Sequence, residues 1–208
     1  MTSRGAYAKG IAKREEILER ALDVVAREGY RGASVKQIAE AVGLSQAGLL
    51  HYFDSKEELF TAILRKRDEI DRTILRKSED DTIDDLRDGF LELVERNTEQ
   101  RGVVLLFSRM SVDAADGEHA ARDFFGERAA TIREIFTDAI VEAQQAGRIE
   151  PTLDAAILAR IVQAASDGLQ LQWLQDPSID MAAAMDALFA AIGVIGRGAE
   201  SPVPADAA

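Results

Sequence analysis

Residues 35–54 read VKQIAEAVGLSQAGLLHYFD, and the second half of this run gathers Ser45, Gln46, Gly48, His51 and Tyr52 within eight positions. Hydroxyl, amide, imidazole and phenol groups beside a glycine suit close approach to base edges and phosphates. Catalytic or metal chemistry finds less support. His51 has no partner at ligand spacing and His119 is the other histidine of the chain, so neither a metal nor a cofactor is expected. Residues 79–196 contain no glycine-rich phosphate loop, GxSxG elbow, HExxH pair or serine-histidine-aspartate ordering. Their acidic pairs, Asp80-Asp81 and Asp84-Asp85, fall near predicted helix starts, where negative charge is favourable in any protein. No enzyme is expected.

Polar groups reach a groove only if a helix is held out to carry them, and the flanking residues supply such a mount. Ile38, Val42, Leu44 and Leu49 are spaced to bury the contact between two short helices, Ala39 is small enough for a close crossing, and Gly43 allows the turn between them. Ser34 with Gln37 forms a capping-box pattern that opens the first of the two. Ser45 is a fresh N-cap for the second, predicted to run to about Tyr52 as a recognition helix. A preceding helix spans about 12–28, with Ile17, Leu18, Ala21, Leu22 and Val25 on one face and Gly29 as its C-terminal glycine. Ser55 and Glu58 cap a long following helix with Leu59, Ile63 and Ile70 on its apolar side. Further helices are predicted at about 82–100, 103–114, 117–146, 152–175 and 180–196, and the tail GAESPVPADAA reads as disordered.

The 208 residues hold no cysteine, so disulfides and thiolate sites are excluded, and no apolar run approaches the roughly 20 residues that span a bilayer. With no leader-like hydrophobic stretch at the start, the cytoplasm is the expected compartment. The net charge of −12 argues at first against nucleic acid. Counting by segment reverses this: residues 1–67 hold 12 Lys and Arg against 9 Asp and Glu, whereas the remainder holds 13 against 28. The two parts of the chain suit different partners.

The stretch from Lys13 to Arg65 resembles the DNA-binding domain of the TetR family of bacterial transcriptional regulators. The resemblance rests on Gly29-Tyr30, Ala33-Ser34, Ile38-Ala39, Val42-Gly43-Leu44-Ser45 and His51-Tyr52-Phe53, followed by Ser55-Lys56 and Leu59. It implies an all-α chain: an N-terminal three-helix helix-turn-helix domain over 1–55 with a basic arm, a helical ligand-sensing and dimerisation domain over 56–197, and a disordered tail over 198–208. It also implies that Ser34, Ser45, Gln46, Ala47, Leu50, His51, Tyr52 and Lys56 face DNA. Ser34 and Ser45 could equally serve as caps alone, and Lys56 could hold a phosphate or stand in water. Leu50 occupies a place where many members carry a tyrosine, and a leucine cannot donate that tyrosine's hydrogen bond. Arg4, Lys9, Lys13 and Arg14 read as a flexible arm along the phosphates or as a frayed terminus.

For the acidic remainder the resemblance implies an effector pocket among the central helices, with Phe107, Met110, Arg109, Asp113, Phe125 and Trp173 as candidate lining. It further implies a homodimer through the last two helices, and stripes at Ile157, Ile161, Ala165, Leu169 and Trp173 and at Met181, Met185, Leu188, Phe189, Ile192 and Ile195 fit such a seam. DGLQLQWLQDPSID also resembles C-terminal segments of the family's choline-responsive repressors. The expected function is a repressor on a pseudo-palindromic operator, its two reading helices about 34–36 Å apart, released by a small molecule. The alternatives are a carrier or enzyme that keeps a helix-turn-helix without specific DNA binding, and an activator.

Overall fold

The computed structural model describes residues 3–32, 34–78 and 81–194, with side chains from Lys9 onward apart from those of 29–32. The described residues are all-α: α1 Ser3–Gly32, α2 Val35–Ala41, α3 Gln46–Leu50, α4 Lys56–Leu75, α5 Ile83–Glu99, α6 Arg101–Asp113, α7 Arg122–Gln145, α8 Ala155–Gln175 and α9 Met181–Ala191. The tail assigned to 198–208 lies outside them.

Two expectations change at the N-terminus. α1 continues through Gly29 to Gly32, because one glycine costs a helix about 1 kcal/mol and weakens it without breaking it. The basic arm is also helical from Ser3. Lys13 pairs with Glu16 at 3.0 Å. Arg14 donates to Glu58 at 3.2 Å and lies 4.7 Å over the Phe53 ring. Arg14 therefore ties α1 to the start of α4 instead of trailing along a backbone.

Two apolar clusters make the core. The first joins Ile17, Leu18, Ala21 and Val25 of α1 to Ile38, Leu49, Phe53, Leu59 and Ile63, and continues into Val103, Leu106 and Met110 of α6. The second gathers Phe90, Val104, Phe136, Ile140, Val162, Trp173, Met185 and Phe189. α6 feeds both clusters, as its run GVVLLF, apolar on every side, requires of a buried helix. The first three helices are thus packed on the body through α6 as well as through α4.

At the α4–α5 corner the backbones nearly touch. A Cβ on Gly89 would sit 2.6 Å from the Ile74 carbonyl oxygen and 2.8 Å from that of Leu75, so only glycine fits.

Candidate nucleic-acid interface and effector cavity

The two short helices α2 and α3 are too brief to be stable alone, and local capping together with burial sets their geometry. The Ser34 hydroxyl accepts from the Gln37 backbone N–H at 3.2 Å, and the Gln37 side chain accepts from the Ser34 N–H at 3.0 Å. The turn is closed by the Leu44 N–H donating to the Ala39 carbonyl at 2.8 Å, with Gly43 at φ +70°, a conformation that a Cβ disfavours. Ser45 Oγ accepts from Gly48 N–H at 3.0 Å. A Cβ on Gly48 would press that Oγ at 3.2 Å, so the glycine keeps the cap compact. Ile38, Ala39 and Leu49 are buried between the helices, as their spacing requires.

This mount leaves Ser45, Gln46, Ala47 and His51 in solvent, with Leu50 39% exposed. Regular helix ends at Leu50, two residues before the expected Tyr52; His51 is the C-cap, its N–H donating to the Ala47 carbonyl at 3.0 Å. Tyr52 is half-buried against the first cluster and meets His51 edge-on at 6.0 Å. Lys56 stands exposed in the first turn of α4, its Nζ 5.7 Å from the Phe60 centroid. Ser55 caps that turn by accepting from Glu58 N–H at 3.0 Å. Gln46, Ala47, Leu50 and His51 form one outward polar-to-apolar edge, and Ser34 and Lys56 stand exposed at the starts of α2 and α4.

The central cavity shares Phe107 with the residues read from the sequence and is otherwise lined by others. A small void of about 50 Å³ lies among α4, α5, α6, α7 and α8, lined by Arg67, Asp71, Phe90, Asn97, Phe107 and Arg128, together with Leu93, Val94, Ser166 and Gln170. An open cleft of about 240 Å³ between α4 and α7 is lined by Arg65, Asp68, Arg72, Phe124, Glu127, Arg128 and Thr131. Arg128 belongs to both. Of the six residues first considered, Phe107 lines the void. Phe125 packs edge-on against it at 5.2 Å and faces a separate surface groove. Met110 is buried in the first cluster and Trp173 in the second, whereas Arg109 and Asp113 are exposed.

The polar lining carries a buried ion network. Arg67 is 7% exposed; its Nε meets Asp71 at 3.1 Å and its Nη2 donates to Asn97 Oδ1. Asp71 also accepts from Arg96 at 3.4 Å, and Arg128 Nε reaches Asp68 at 2.9 Å. Burial pulls the Arg67 guanidinium below its ordinary value despite Asp71, with Arg128 and Arg96 adding repulsion. Burial likewise pushes the Asp71 carboxyl up, against the pull of Arg67 and Arg96. One signal of this network was present in the sequence: Arg67 and Asp71 continue the four-residue stride of Leu59 and Ile63, placing charge on an apolar stripe.

The last two helices sort their stripes differently from the expected seam. Met181, Met185 and Phe189 point into the second cluster, as does Trp173. What faces out is Ala183, Ala187, Ala190 and Ala191 on α9, beside Ile157 (57% exposed), Ile161 (44%), Ala164 and Leu171 on α8. Large residues fill the protomer's own core because it is the only apolar surface they can reach within the chain; the small ones are left outward.

A short capped pair of helices projecting a polar edge from an all-helical body defines a helix-turn-helix protein. Residues 17–63 match the model of the bacterial regulatory proteins of the TetR family. Over 55 residues the chain is 47% identical to the HTH-type transcriptional regulator RutR of Escherichia coli K12, covering 26% of each protein. It spans about a quarter of that relative's length. The crystal structure of a TetR-family transcriptional regulator from Rhodococcus sp. aligns with TM-score 0.71 at 27% identity, over 88% of this chain and 98% of that one. A transcriptional regulator from Saccharomonospora viridis, solved in complex with choline, aligns with TM-score 0.69 at 21% identity, over 85% and 95%, and so shares the fold. Residues 17–63 thus carry a TetR-family DNA-binding domain, and over most of its length the chain has the fold of the Rhodococcus regulator.

Proposed function

We propose that the protein is a homodimeric transcriptional repressor that binds a pseudo-palindromic operator and is released by a small-molecule effector, acting in the cytoplasm rather than as an enzyme. The observation that carries this reading is the exposed edge of α3, held by two serine caps and the positive-φ turn at Gly43. Gln46 and His51 reach base edges, Leu50 and Ala47 meet thymine methyl groups, and Ser34, Ser45 and Lys56 contact phosphates at helix starts. Tyr52, half-buried, braces His51 and reaches the backbone beside it.

The outward face of α8 and α9 supports dimerisation. Ile157, Ile161 and Leu171 supply apolar area, and the alanines beside them let a second pair of helices approach closely into a four-helix seam. Two-fold symmetry then presents two α3 edges to successive major-groove faces. α4 runs from Lys56 beside the reading edge to the cavity at Arg67 and Asp71, so an effector that changes the cavity changes the angle of both heads. Effector and operator then oppose each other reciprocally.

Selection of bound duplexes from genomic fragments with the full-length protein, followed by gel shift at fixed salt, tests the proposal. Retardation of one selected sequence far beyond a scrambled duplex is expected. Equal retardation of both, or none, would reject operator recognition, and enhanced reporter output would make the protein an activator.

A further inference from the structure

The cavity's charge and its occupied aromatic faces specify what an effector must be, granted the effector-responsive reading above. Four guanidinium groups, Arg65, Arg67, Arg72 and Arg128, line the void and cleft against three carboxylates, Asp68, Asp71 and Glu127. Arg96 adds a fifth guanidinium at Asp71, and Asp167, whose carboxyl is attracted by Arg128, adds a fourth carboxylate, which leaves one cation in excess. The cation surplus stands inside a body whose overall charge is strongly negative. A quaternary ammonium ligand needs bare aromatic faces. Two of the three lining rings are already taken: the Arg128 guanidinium lies 4.7 Å over Phe107 and that of Arg65 5.3 Å over Phe124. The remaining lining, Phe90, Leu93 and Val94, suits a short hydrocarbon portion.

Arg128 is the partition between cleft and void. Its Nε is held by Asp68 of α4 at 2.9 Å, and the side chain keeps about a quarter of its surface exposed, so it is reachable from the cleft. A guanidinium fork accepts a carboxylate through two parallel hydrogen bonds, and an incoming carboxylate therefore competes with Asp68 for the same donor. If Arg128 turns toward the newcomer, the α4–α7 tie at Asp68 opens and the void joins the cleft. α4 is then loosened on its α7 side, where Arg65 still meets Glu127 at 3.6 Å, while Lys66 fastens it to Glu15 of α1 at 2.8 Å. Movement of α4 is thereby passed to the reading head.

We propose that the effector is a small organic anion, a carboxylate with a short apolar portion, which exchanges for Asp68 on Arg128 and so loosens α4 from α7. Both spaces fall below the roughly 300 Å³ at which drug-sized pockets begin, so the ligand is of metabolite size.

The test is calorimetric titration of the full-length protein with hexanoate, octanoate and phenylacetate, their amides, and choline. At least one carboxylate binds, and its amide and choline bind at least about tenfold more weakly. Arg128→Gln weakens the carboxylate by about tenfold or more, whereas Asp68→Asn, which removes the competing anion, tightens it. Circular dichroism melts check that both variants fold, and Arg128→Lys, which keeps the charge without the fork, lies between. Binding of choline in preference to the carboxylates, equal binding of acid and amide, no binding of any carboxylate, or an unchanged affinity in Arg128→Gln overturns the proposal. Titration without DNA separates this outcome from operator recognition: carboxylate binding without sequence-specific retardation sinks the repressor reading and leaves the ligand class standing, and the converse sinks the ligand class alone.

Discussion

On α3, Gln46, Ala47 and His51 stand in solvent and are placed by caps lying within a few residues, whereas on α4 the Arg67 and Asp71 pair is shielded from water by helices from across the chain. The reading edge keeps its polar groups hydrated until a partner arrives, so it costs folding little and is free to vary with the operator. The cavity network has already surrendered its hydration, and its charges are held by one another. A partner of the first must displace water, and a partner of the second must displace a protein carboxylate. That difference suits α3 to the recognition role and the α4–α7 region to the switching role proposed for them.

Substitutions separate the two regions by what they damage. The largest effect is expected at Arg67→Ala, which leaves Asp71 buried with Arg96 as its remaining partner. A loss of about 3–5 kcal/mol in urea unfolding is expected, and a loss under 1 kcal/mol would show that the network is hydrated after all. Next, Ile157→Arg combined with Ile161→Arg, both at exposed positions, leaves the fold intact but gives monomers in sedimentation. Operator affinity falls about a hundredfold or more as the second head is lost.

Gln46→Ala leaves the melting midpoint in place and costs about tenfold in operator affinity, with relaxed preference at one base position in a selection experiment. A shifted midpoint would mean that Gln46 is part of the scaffold. Lys56→Ala weakens binding to every duplex by a similar factor and lowers the slope of log affinity against log salt by about one. An unchanged slope removes Lys56 from the phosphate contacts.

The smallest effect concerns the link between the regions. The hydrogen bond to Glu15 raises the Lys66 ammonium above its ordinary value, with burial opposing. A raised lysine contributes stability that is complete below the unfolded-state value of about 10.4 and disappears as pH rises through the folded-state value. Lys66→Met therefore costs a few tenths of a kcal/mol near neutrality and makes stability less steep with pH in that alkaline window. Equal slopes for both proteins would show that the α1–α4 pair is not formed in solution.

Much of the head was legible because its determinants are local. Ser34, Gly43 and Ser45 act on backbone groups three or four residues away, and Ile38 and Leu49 meet across a single turn, so spacing alone carries the geometry. The body's helix order was legible for the same reason, from periodicity and glycine or proline breaks. Its contacts were not. Phe107 could be placed near a cavity, but Arg109 lies on the same helix and Trp173 on another, and sequence cannot say which face meets α4. Arg128 had no local mark at all: its role arises from Asp68 and Phe107, 60 and 21 positions away.

The chain by itself determined that it folds into helices, where most of them start, and which short pair projects an exposed polar edge, because capping and periodicity act over single turns. It also divided the charge between head and body. Tertiary structure alone decided that Met185 and Phe189 serve the chain's own core while alanines face outward, and that Arg14 ties α1 to the start of α4. It likewise set four arginines around the void and the adjoining cleft. Those outcomes depend on which helix faces which, and that choice is made by packing between residues far apart in the chain.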